Sequence, residues 1–330
     1  MWLTLISLAV SVCVIFLAYK YLGKKPADLS NDVILITGAA NGIGRLLTIL
    51  LSEYCHTVIA LDKDIIGLKE TALRVSERYN SDLIFYECDV SDRNAIKMCA
   101  EYIRRVHGRV TVLINNAAVV NGNFLIDLPS ARFEKLVQVN FVAPFYFLKE
   151  FLPGMLGSTY KTAMEHIPQQ LRVIPTKSNV KRCFDEPPRG HLVFLSSLAS
   201  QTICSGLGDY CGSKAGLSSL AETLRLEMEV LGMSESIAVT EIRPFAIDTG
   251  LFEGFNSKLP ILPILEPEKV AKRIIQAIRY RERTVYIPWI IWFVPLLQRI
   301  LPFSILIILY KISGAFDGMN TFKRANKNRD

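Results

Sequence analysis

The fold is decided by one stretch near the N-terminus, residues 33–44, which reads VILITGAANGIG. Its apolar, β-branched start predicts a buried strand, and the glycines that follow predict a tight turn that opens a helix. Such a turn lets the backbone approach a pyrophosphate, and the helix N-terminus offers that anion a partial positive charge. The glycine spacing is TGxxxGxG rather than GxGxxG. Three glycines alone are weak evidence, but a position between strand and helix is the context that the motif requires.

Further apolar runs repeat the pattern of the first. They are residues 57–62, 83–90, 110–118, 191–197 and 237–244. The first three of these, like residues 33–38, are followed by sequence of helical length, which predicts βαβ units. The fold class that follows is α/β, with a Rossmann-type doubly wound parallel sheet in a single domain over residues 31–284. Residues 157–190 interrupt this alternation of strands and helices, because they are polar and rich in proline. They are interpreted as an inserted surface loop.

The overall composition narrows the class of protein. The chain has 330 residues, of which 50% are hydrophobic and 21% charged, so a disordered state is excluded as the main one. The net charge of +7 suits an anionic membrane surface or an anionic cofactor, and no basic block is interleaved with aromatics as a nucleic-acid groove requires. Seven cysteines without a CxxC pair and four scattered histidines predict neither a disulfide framework nor a metal site.

Much of the hydrophobicity lies at the N-terminus. Residues 1–19 carry no charge, and as a helix they would measure about 28 Å, close to the apolar thickness of a bilayer. Lys20, Lys24 and Lys25 follow this run, which predicts that the bulk of the chain stays cytosolic. We therefore expect a retained N-terminal membrane anchor over residues 1–22. A helix that lies in the interface without crossing it is the alternative.

The second apolar region is residues 285–310, where Arg299 is the only charge. Pro288, Pro295 and Pro302 recur every seven residues, and each interrupts the helical hydrogen-bond ladder. A straight membrane span is not expected for this reason. Short apolar helices that rest on a membrane or line an apolar substrate mouth fit better, with an ordinary substrate-side core as the alternative. Residues 285–330 are thus interpreted as a membrane-proximal region that ends in a basic tail.

A second chemical signature lies in the C-terminal half. Tyr210 and Lys214 form a YxxxK pair, and Ser197 lies thirteen residues before the tyrosine. A tyrosine can give or take a proton, and a lysine one helical turn away would share its face and lower its pKa from about 10. A serine hydroxyl can polarise a carbonyl. Ser196 is the neighbouring candidate for this last role.

Together the glycine turn, Ser197 and the YxxxK pair resemble the short-chain dehydrogenase/reductase family, from about residue 31 to at least residue 255. The resemblance implies hydride transfer between a nicotinamide dinucleotide and an alcohol or ketone. The catalytic residues that it implies are Asn140, Ser197, Tyr210 and Lys214, with Asn140 holding a water that links the lysine to solvent. The cofactor-binding residues that it implies are Thr37, Gly38, Asn41, Gly42, Ile43, Gly44, Asp62, Asp89, Val90, Asn116, Ala117, Tyr210, Lys214, Pro244, Ile247 and Thr249.

Two positions depart from the family pattern. Ala118 replaces the last glycine of the NNAG motif, and Phe245 replaces the usual glycine after Pro244. Neither change removes a catalytic side chain. At the second strand, Asp62 can accept both ribose hydroxyls and would repel a 2′-phosphate, which favours NAD over NADP. Lys63 could reach a phosphate instead, and Asp62 could also be a solvated turn carboxylate.

The anchor, residues 149–155 and the FDGMNTF pattern at 316–322 resemble a membrane-associated branch of the family, which contains 17β-hydroxysteroid dehydrogenases of types 11 and 13 and epidermal retinol dehydrogenases. This implies a lipophilic retinoid or hydroxysteroid substrate and a location on endoplasmic reticulum or lipid-droplet membranes, with the catalytic domain facing the cytosol. Family members often dimerise, which suggests a homodimer. The 157–190 insertion departs from the branch. An NADPH-dependent reductase of long-chain 3-oxo lipids and a non-catalytic lipid-droplet scaffold are the alternatives.

Overall fold

The computed structural model describes residues 25–165, 185–255 and 263–316, together with Met319 and Phe322. Its centre is a sheet of seven parallel strands in the order β3-β2-β1-β4-β5-β6-β7. The strands are, in chain order, β1 (Val33–Thr37), β2 (Thr57–Asp62), β3 (Ile84–Glu87), β4 (Val112–Asn115), β5 (Gly190–Leu195), β6 (Ile237–Pro244) and β7 (Thr284–Ile287). The order reverses between β1 and β4, which opens a crevice at the carboxyl ends of the strands.

Helices cover both faces of this sheet. The described α-helices are α1 (Gly42–Leu51), α2 (Ile65–Tyr79), α3 (Arg93–His107), α4 (Ser130–Val137), α5 (Ala143–Leu156), α6 (Tyr160–Glu165), α7 (Gly208–Val230), α8 (Pro267–Arg279), α9 (Phe293–Ile300) and α10 (Phe303–Ser313). Helices α1, α2 and α8 pack on one face, and α3, α5 and α7 pack on the other. Along β1, Ile34 and Ile36 face the first layer, whereas Leu35 faces the second. Because both faces are buried, the strands are continuous apolar runs.

The predicted α/β class, with a doubly wound parallel sheet in one domain, is confirmed. All six predicted strands are present. The seventh strand, β7, was not predicted, and with it the apolar run at 285–310 begins inside the sheet, where Val285 and Ile287 are buried. The predicted anchor at residues 1–22 lies outside the described residues.

The predicted insertion at 157–190 differs from a simple loop in its first part. Residues 157–159 form a 3₁₀ turn that leads into α6, and residues 166–184 lie outside the described ranges. The two ends of the insertion meet: the Ser158 amide donates to the Glu186 carbonyl at 2.9 Å. The Glu186 carboxylate also pairs with Arg109 at 2.8 Å. The insertion therefore leaves and rejoins the domain at one place.

After β7 the chain forms a 3₁₀ turn over Trp289–Trp292 and then α9 and α10. The helices are short, as the prolines predict: Pro302 caps α10, and Pro295 lies in the first turn of α9. Among the described residues, no helix has both the length and the apolarity needed to cross a bilayer. Several large apolar side chains of this region are exposed, namely Trp289, Trp292, Phe293, Ile300, Phe303, Ile308 and Ile312.

Candidate active site

The glycine turn between β1 and α1 is a close-packed cradle. Gly38 has a φ of +70°, and a Cβ there would lie 2.8 Å from the Ala117 Cα. A Cβ on Gly44 would lie 1.9 Å from the Gly38 carbonyl oxygen, so only glycine fits either position. Asn41 precedes α1 and makes no side-chain cap to it, which leaves the first amides of the helix directed at the crevice. These features fit a dinucleotide pyrophosphate.

Two side chains hold this cradle against the end of β4. The Thr37 hydroxyl oxygen accepts hydrogen bonds from the amides of Asn116 and Ala117, both at 3.1 Å. The Asn116 side-chain amide donates to the Thr37 carbonyl at 2.9 Å and to the Gly38 carbonyl at 3.1 Å. The side chain and the backbone amide of Asn116 thus both shape the turn itself.

Asp62 stands at the end of β2, beside the same turn. Its carboxylate accepts hydrogen bonds from the amides of Ala40 and Asp64, each at 3.0 Å, so its orientation is fixed. Lys63 is exposed. Arg45 of α1 is engaged elsewhere, since its side chain donates to the Ala40 carbonyl at 2.7 Å and pairs with a glutamate of α2 at 2.9 Å.

Asp89 and Val90 follow β3 at the edge of the crevice. Asp89 accepts hydrogen bonds from the Ser91 amide at 2.9 Å and from the Ser91 hydroxyl at 2.7 Å, and it pairs with Lys135 at 3.3 Å. Partial burial favours the neutral acid, but the Ser91 hydrogen bonds and the Lys135 charge outweigh it and lower the pKa of Asp89. Val90 is buried. Lys135, on α4, was not singled out from the sequence because its partner is 46 residues away.

The structure brings Ser197, Tyr210 and Lys214 together. Ser197 follows β5, and it lines the same cavity as Tyr210 of α7. The Lys214 Nζ lies 5.6 Å from the centre of the tyrosine ring and donates to the Leu195 carbonyl at 2.7 Å. Ser196 is turned away, because its hydroxyl donates to the Lys214 carbonyl at 3.4 Å. Of the two neighbouring serines, Ser197 is the one that lines the cavity beside Tyr210.

Burial dominates the electrostatics of this trio. Tyr210 is 3% exposed and Lys214 is 2% exposed. Burial raises the pKa of Tyr210, and the Ser197 hydrogen bond opposes that shift only in part. Burial also lowers the pKa of Lys214 to about 7. Desolvation is thus the largest effect on both groups, and the expectation that Lys214 lowers the pKa of Tyr210 stays a prediction.

Asn140 lies in a π-helical segment between α4 and α5 and is fully buried. Its side-chain oxygen accepts from the Val119 amide at 2.8 Å, and its amide donates to the Val119 carbonyl at 2.9 Å. The same amide donates to Ser213 at 3.2 Å, and the Ser213 hydroxyl donates to the Tyr210 carbonyl at 2.8 Å. Asn140 thereby fixes the chain after β4 to the helix that carries Tyr210. Its water-holding role stays a prediction.

An apolar cavity of about 80 Å³ adjoins Ser197 and Tyr210. Phe252 meets the Tyr210 ring edge-to-face at 5.6 Å between ring centres. Phe255 contacts both Phe252, at 6.2 Å, and Phe245, at 6.3 Å. These three phenylalanines form an aromatic cluster over the tyrosine; the sequence predicts an apolar substrate end after Pro244, but not this cluster. The available signal was Phe245 itself, which occupies a position where the family usually has glycine.

The segment after β6 connects this cavity with the glycine turn. Ile247 pairs with Leu265 in a short parallel bridge, which fixes the segment. The Thr249 side chain lies 3.7 Å from the Cβ position of Gly42. Thr249 also lines a second cavity, of about 300 Å³, that shares Phe252 with the first. Pro244, Ile247 and Thr249 thus run from the tyrosine side to the predicted cofactor cradle.

The comparisons with known proteins agree with this geometry. A family model described as short chain dehydrogenase matches residues 32–162 and 172–260. Epidermal retinol dehydrogenase 2 of Mus musculus is 31% identical over 91% of this chain and 88% of its own length. Short-chain dehydrogenase/reductase family 16C member 6 of Bos taurus is 33% identical over 82% of this chain and 77% of its own.

Solved structures share the fold. A short-chain dehydrogenase from Sphingobium yanoikuyae, in complex with NADPH, superposes with a TM-score of 0.63 at 18% identity, covering 90% of this chain and 98% of that one. A short-chain type dehydrogenase/reductase from Mycobacterium marinum gives a TM-score of 0.63 at 18% identity, covering 78% and 94%. The chain therefore belongs to the short-chain dehydrogenase/reductase family, as an oxidoreductase that acts on an alcohol or ketone with a nicotinamide dinucleotide.

Proposed function

We propose that this protein is a membrane-anchored oxidoreductase that transfers a hydride between NAD(H) and a lipophilic alcohol or ketone of the retinoid or hydroxysteroid class. One observation carries the proposal: Ser197, Tyr210 and Lys214 meet beside a cavity whose lining is almost wholly apolar. A lining of this kind suits a substrate with one oxygen and a large hydrocarbon body. The relative from Mus musculus is named a retinol dehydrogenase, which supports the same class.

In this proposal the bound nicotinamide supplies the hydride acceptor or donor. Ser197 donates a hydrogen bond to the substrate oxygen, and Tyr210 takes the hydroxyl proton in oxidation or returns it in reduction. Both Tyr210 and Lys214 are buried, so a lone charge on either is costly. A tyrosinate beside a protonated Lys214 is the least costly charged state because the two charges attract in a medium of low dielectric constant. The lysine therefore enables the tyrosine to release its proton.

The preference for NAD rests on Asp62. The Ala40 and Asp64 amides hold its carboxylate in place, and Arg45 is paired with a glutamate, so the end of β2 presents a fixed negative charge. Such a site accepts ribose hydroxyls and repels a 2′-phosphate. The NADPH bound in the Sphingobium yanoikuyae protein does not argue against NAD for this chain, because a likeness at 18% identity concerns the fold alone. An NADPH-dependent reductase of 3-oxo lipids is the second candidate, favoured by the exposed Lys63.

Membrane attachment is proposed from the charge-free run at residues 1–19 and its lysine flank. The exposed apolar side chains of α9 and α10 support a second contact with the same surface. The proposed location is the endoplasmic reticulum membrane or a lipid droplet, with the catalytic domain in the cytosol. We also propose a homodimer, formed through the helices that bear Asn140 and Tyr210.

The test is NAD-dependent oxidation of all-trans-retinol by membranes that contain the full-length protein. Tyr210→Phe keeps the ring but removes the hydroxyl, and we expect turnover to fall by about 10²-fold or more. Tyr102→Phe, in a half-exposed tyrosine of α3, is the matched control and should retain wild-type turnover. Wild-type rates in Tyr210→Phe would refute the catalytic assignment. If the wild type itself transfers no hydride with either dinucleotide, the non-catalytic scaffold becomes the better explanation.

A further inference from the structure

The pattern at residues 316–322 has no part in the proposed chemistry, yet its described residues return to the catalytic face. After α10, the Ala315 carbonyl accepts a hydrogen bond from the Ser205 amide at 2.8 Å. The Phe322 amide donates to the Met319 carbonyl at 3.1 Å. Ser205 belongs to the 201–207 loop, which directly precedes the helix of Tyr210. The C-terminal segment is therefore attached beside the active site.

Met319 packs behind the wall of the catalytic cavity. It belongs to a small apolar cluster with Leu207, Tyr210 and Cys211. Its Cβ lies 3.4 Å from the Cβ position of Gly206. The 201–207 loop contributes four residues to the cavity lining, of which Leu207 is one. Met319 thus packs against the loop without lining the cavity itself.

Phe322 occupies the space over the neighbouring loop. A Cβ on Gly122 would lie 2.4 Å from the Phe322 ring, so the ring fits only because residue 122 is glycine. Next to it, the Asn121 side chain donates to the Asp209 carboxylate at 2.7 Å. Asp209 directly precedes Tyr210. Met319 and Phe322 therefore join the two loops that flank the catalytic tyrosine.

The 201–207 loop has a further attachment to the C-terminal region. The Gln298 side chain of α9 donates to the Thr202 hydroxyl at 2.5 Å, and Thr202 lines the cavity. The cavity of about 80 Å³ is far smaller than a site for a lipid-sized ligand, which measures roughly 300 Å³ or more. A long substrate therefore needs more room than this cavity offers, and retraction of the 201–207 loop would supply it. How firmly the C-terminal segment holds the loop should then decide the chain length that is accepted.

We propose that Met319 and Phe322 are positioning residues that set the substrate length limit, by holding the 201–207 loop and Gly122 against the catalytic tyrosine. The inference rests on the proposed function, because it concerns the same cavity. Removing the Met319 contact leaves space behind Leu207, and removing the Phe322 contact leaves space over Gly122, so a loop beside the tyrosine can retract and the cavity can lengthen. The kcat/KM for longer alcohols then rises relative to that for shorter ones, whereas a purely structural defect lowers both values equally.

The experiment compares three isoprenoid alcohols with the same reacting group, namely geraniol, farnesol and geranylgeraniol, at saturating NAD with the full-length protein. In Met319→Ala we expect the ratio of kcat/KM for geranylgeraniol over geraniol to rise about tenfold, equivalent to about 1.4 kcal/mol. Gly122→Ala should give the same rise, because its Cβ displaces the Phe322 ring. The KM for NAD should not change, since neither residue is among those that form the glycine turn.

Two controls isolate the effect. Gly232→Ala introduces a side chain at a similar φ of +66° with nothing within 4 Å, and so reports backbone strain alone. Ile308→Ala removes an exposed apolar side chain from α10. Both should keep the wild-type ratio, and an unchanged or lower ratio in Met319→Ala and Gly122→Ala overturns the inference. If the wild type oxidises no alcohol, the proposed function fails instead, and the intrinsic fluorescence of bound all-trans-retinol then tests the inference: tighter binding in both variants supports it, and equal binding overturns it.

Discussion

Replacing Lys214 with methionine removes a buried ammonium from the catalytic helix. Burial lowers the pKa of Lys214 from its ordinary value of 10.5 to about 7. Between these two values the unfolded chain holds a proton that the folded chain has released. The lysine's contribution to stability is therefore fully present above the unfolded pKa and is lost as the pH falls through the folded pKa. The wild type should gain stability with rising pH across this window, and Lys214→Met should lack that gain.

The size of the effect follows from the shift. Each unit of pKa difference corresponds to about 1.4 kcal/mol, so from about pH 7 to about pH 9.5 the free energy of unfolding of the wild type should rise by about 3 kcal/mol relative to the variant. Solvent does not screen Lys214 enough to reduce this energy difference, because the residue is only 2% exposed. Burial also raises the pKa of the Cys55 and Cys211 thiols, which adds its own pH dependence to the stability. They are present in both proteins, so they cancel in the difference.

The assay is equilibrium urea denaturation of the full-length protein in detergent micelles, repeated at several pH values across the window. Lys272→Met is the matched control, since Lys272 is exposed on α8 and its removal should leave the wild-type pH dependence unchanged. Parallel curves for wild type and Lys214→Met would show that Lys214 keeps its ordinary pKa and would refute the reasoning. Turnover should also fall by about 10²-fold or more in the variant. The lysine would then be required for activity although its burial lowers the stability of the fold.

Three further predictions concern the cofactor cradle and the anchor. Gly44→Ala places a Cβ 1.9 Å from the Gly38 carbonyl, so the turn must open, and we expect the Kd for NAD to rise at least about tenfold in a fluorescence titration; wild-type affinity would contradict the cradle. Asp62→Ala should lower the NAD-over-NADP ratio of kcat/KM by about tenfold or more; a wild-type preference for NADP would contradict the role given to this carboxylate. Deleting residues 1–22 should move much of the protein from the membrane to the soluble fraction after centrifugation, and complete retention would assign the contact to residues 285–310 instead.

Most of the sheet was predictable because its strands are buried on both faces. Such strands are continuous apolar runs, and the six predicted from the sequence are those with a clear polar boundary. The exception, β7, passes directly into the apolar turn at Trp289–Trp292. Hydropathy alone could not separate an edge strand from the surface helices that follow it. Only the pairing with β6, from Glu241 to Pro244, defines where the sheet ends.

The candidate site was predictable in its residue types but not in its electrostatics. Ser197, Tyr210 and Lys214 could be found from order and spacing, because a helical turn places the last two on one face. The direction of their pKa shifts depends on how deeply α7 packs against the sheet, which no local pattern encodes. The same holds for Asn140, whose hydrogen bonds to Val119 cross 21 residues of sequence. A tertiary contact decided each of these outcomes.

The two departures from the family pattern have different consequences. Among the described residues, only Asn80 and Arg281 combine a side chain with a positive φ, so Ala118 and Phe245 both adopt backbone angles that any residue tolerates. At Ala118 the glycine is therefore dispensable, since the neighbouring chain is held by side-chain amides. Phe245 is different, because its ring joins the aromatic cluster over Tyr210 and lines the cavity. The Phe245 ring narrows the site and surrounds the reacting oxygen with hydrocarbon. Small polar alcohols are disfavoured in such a site, because their other polar groups would have no hydrogen-bond partners there.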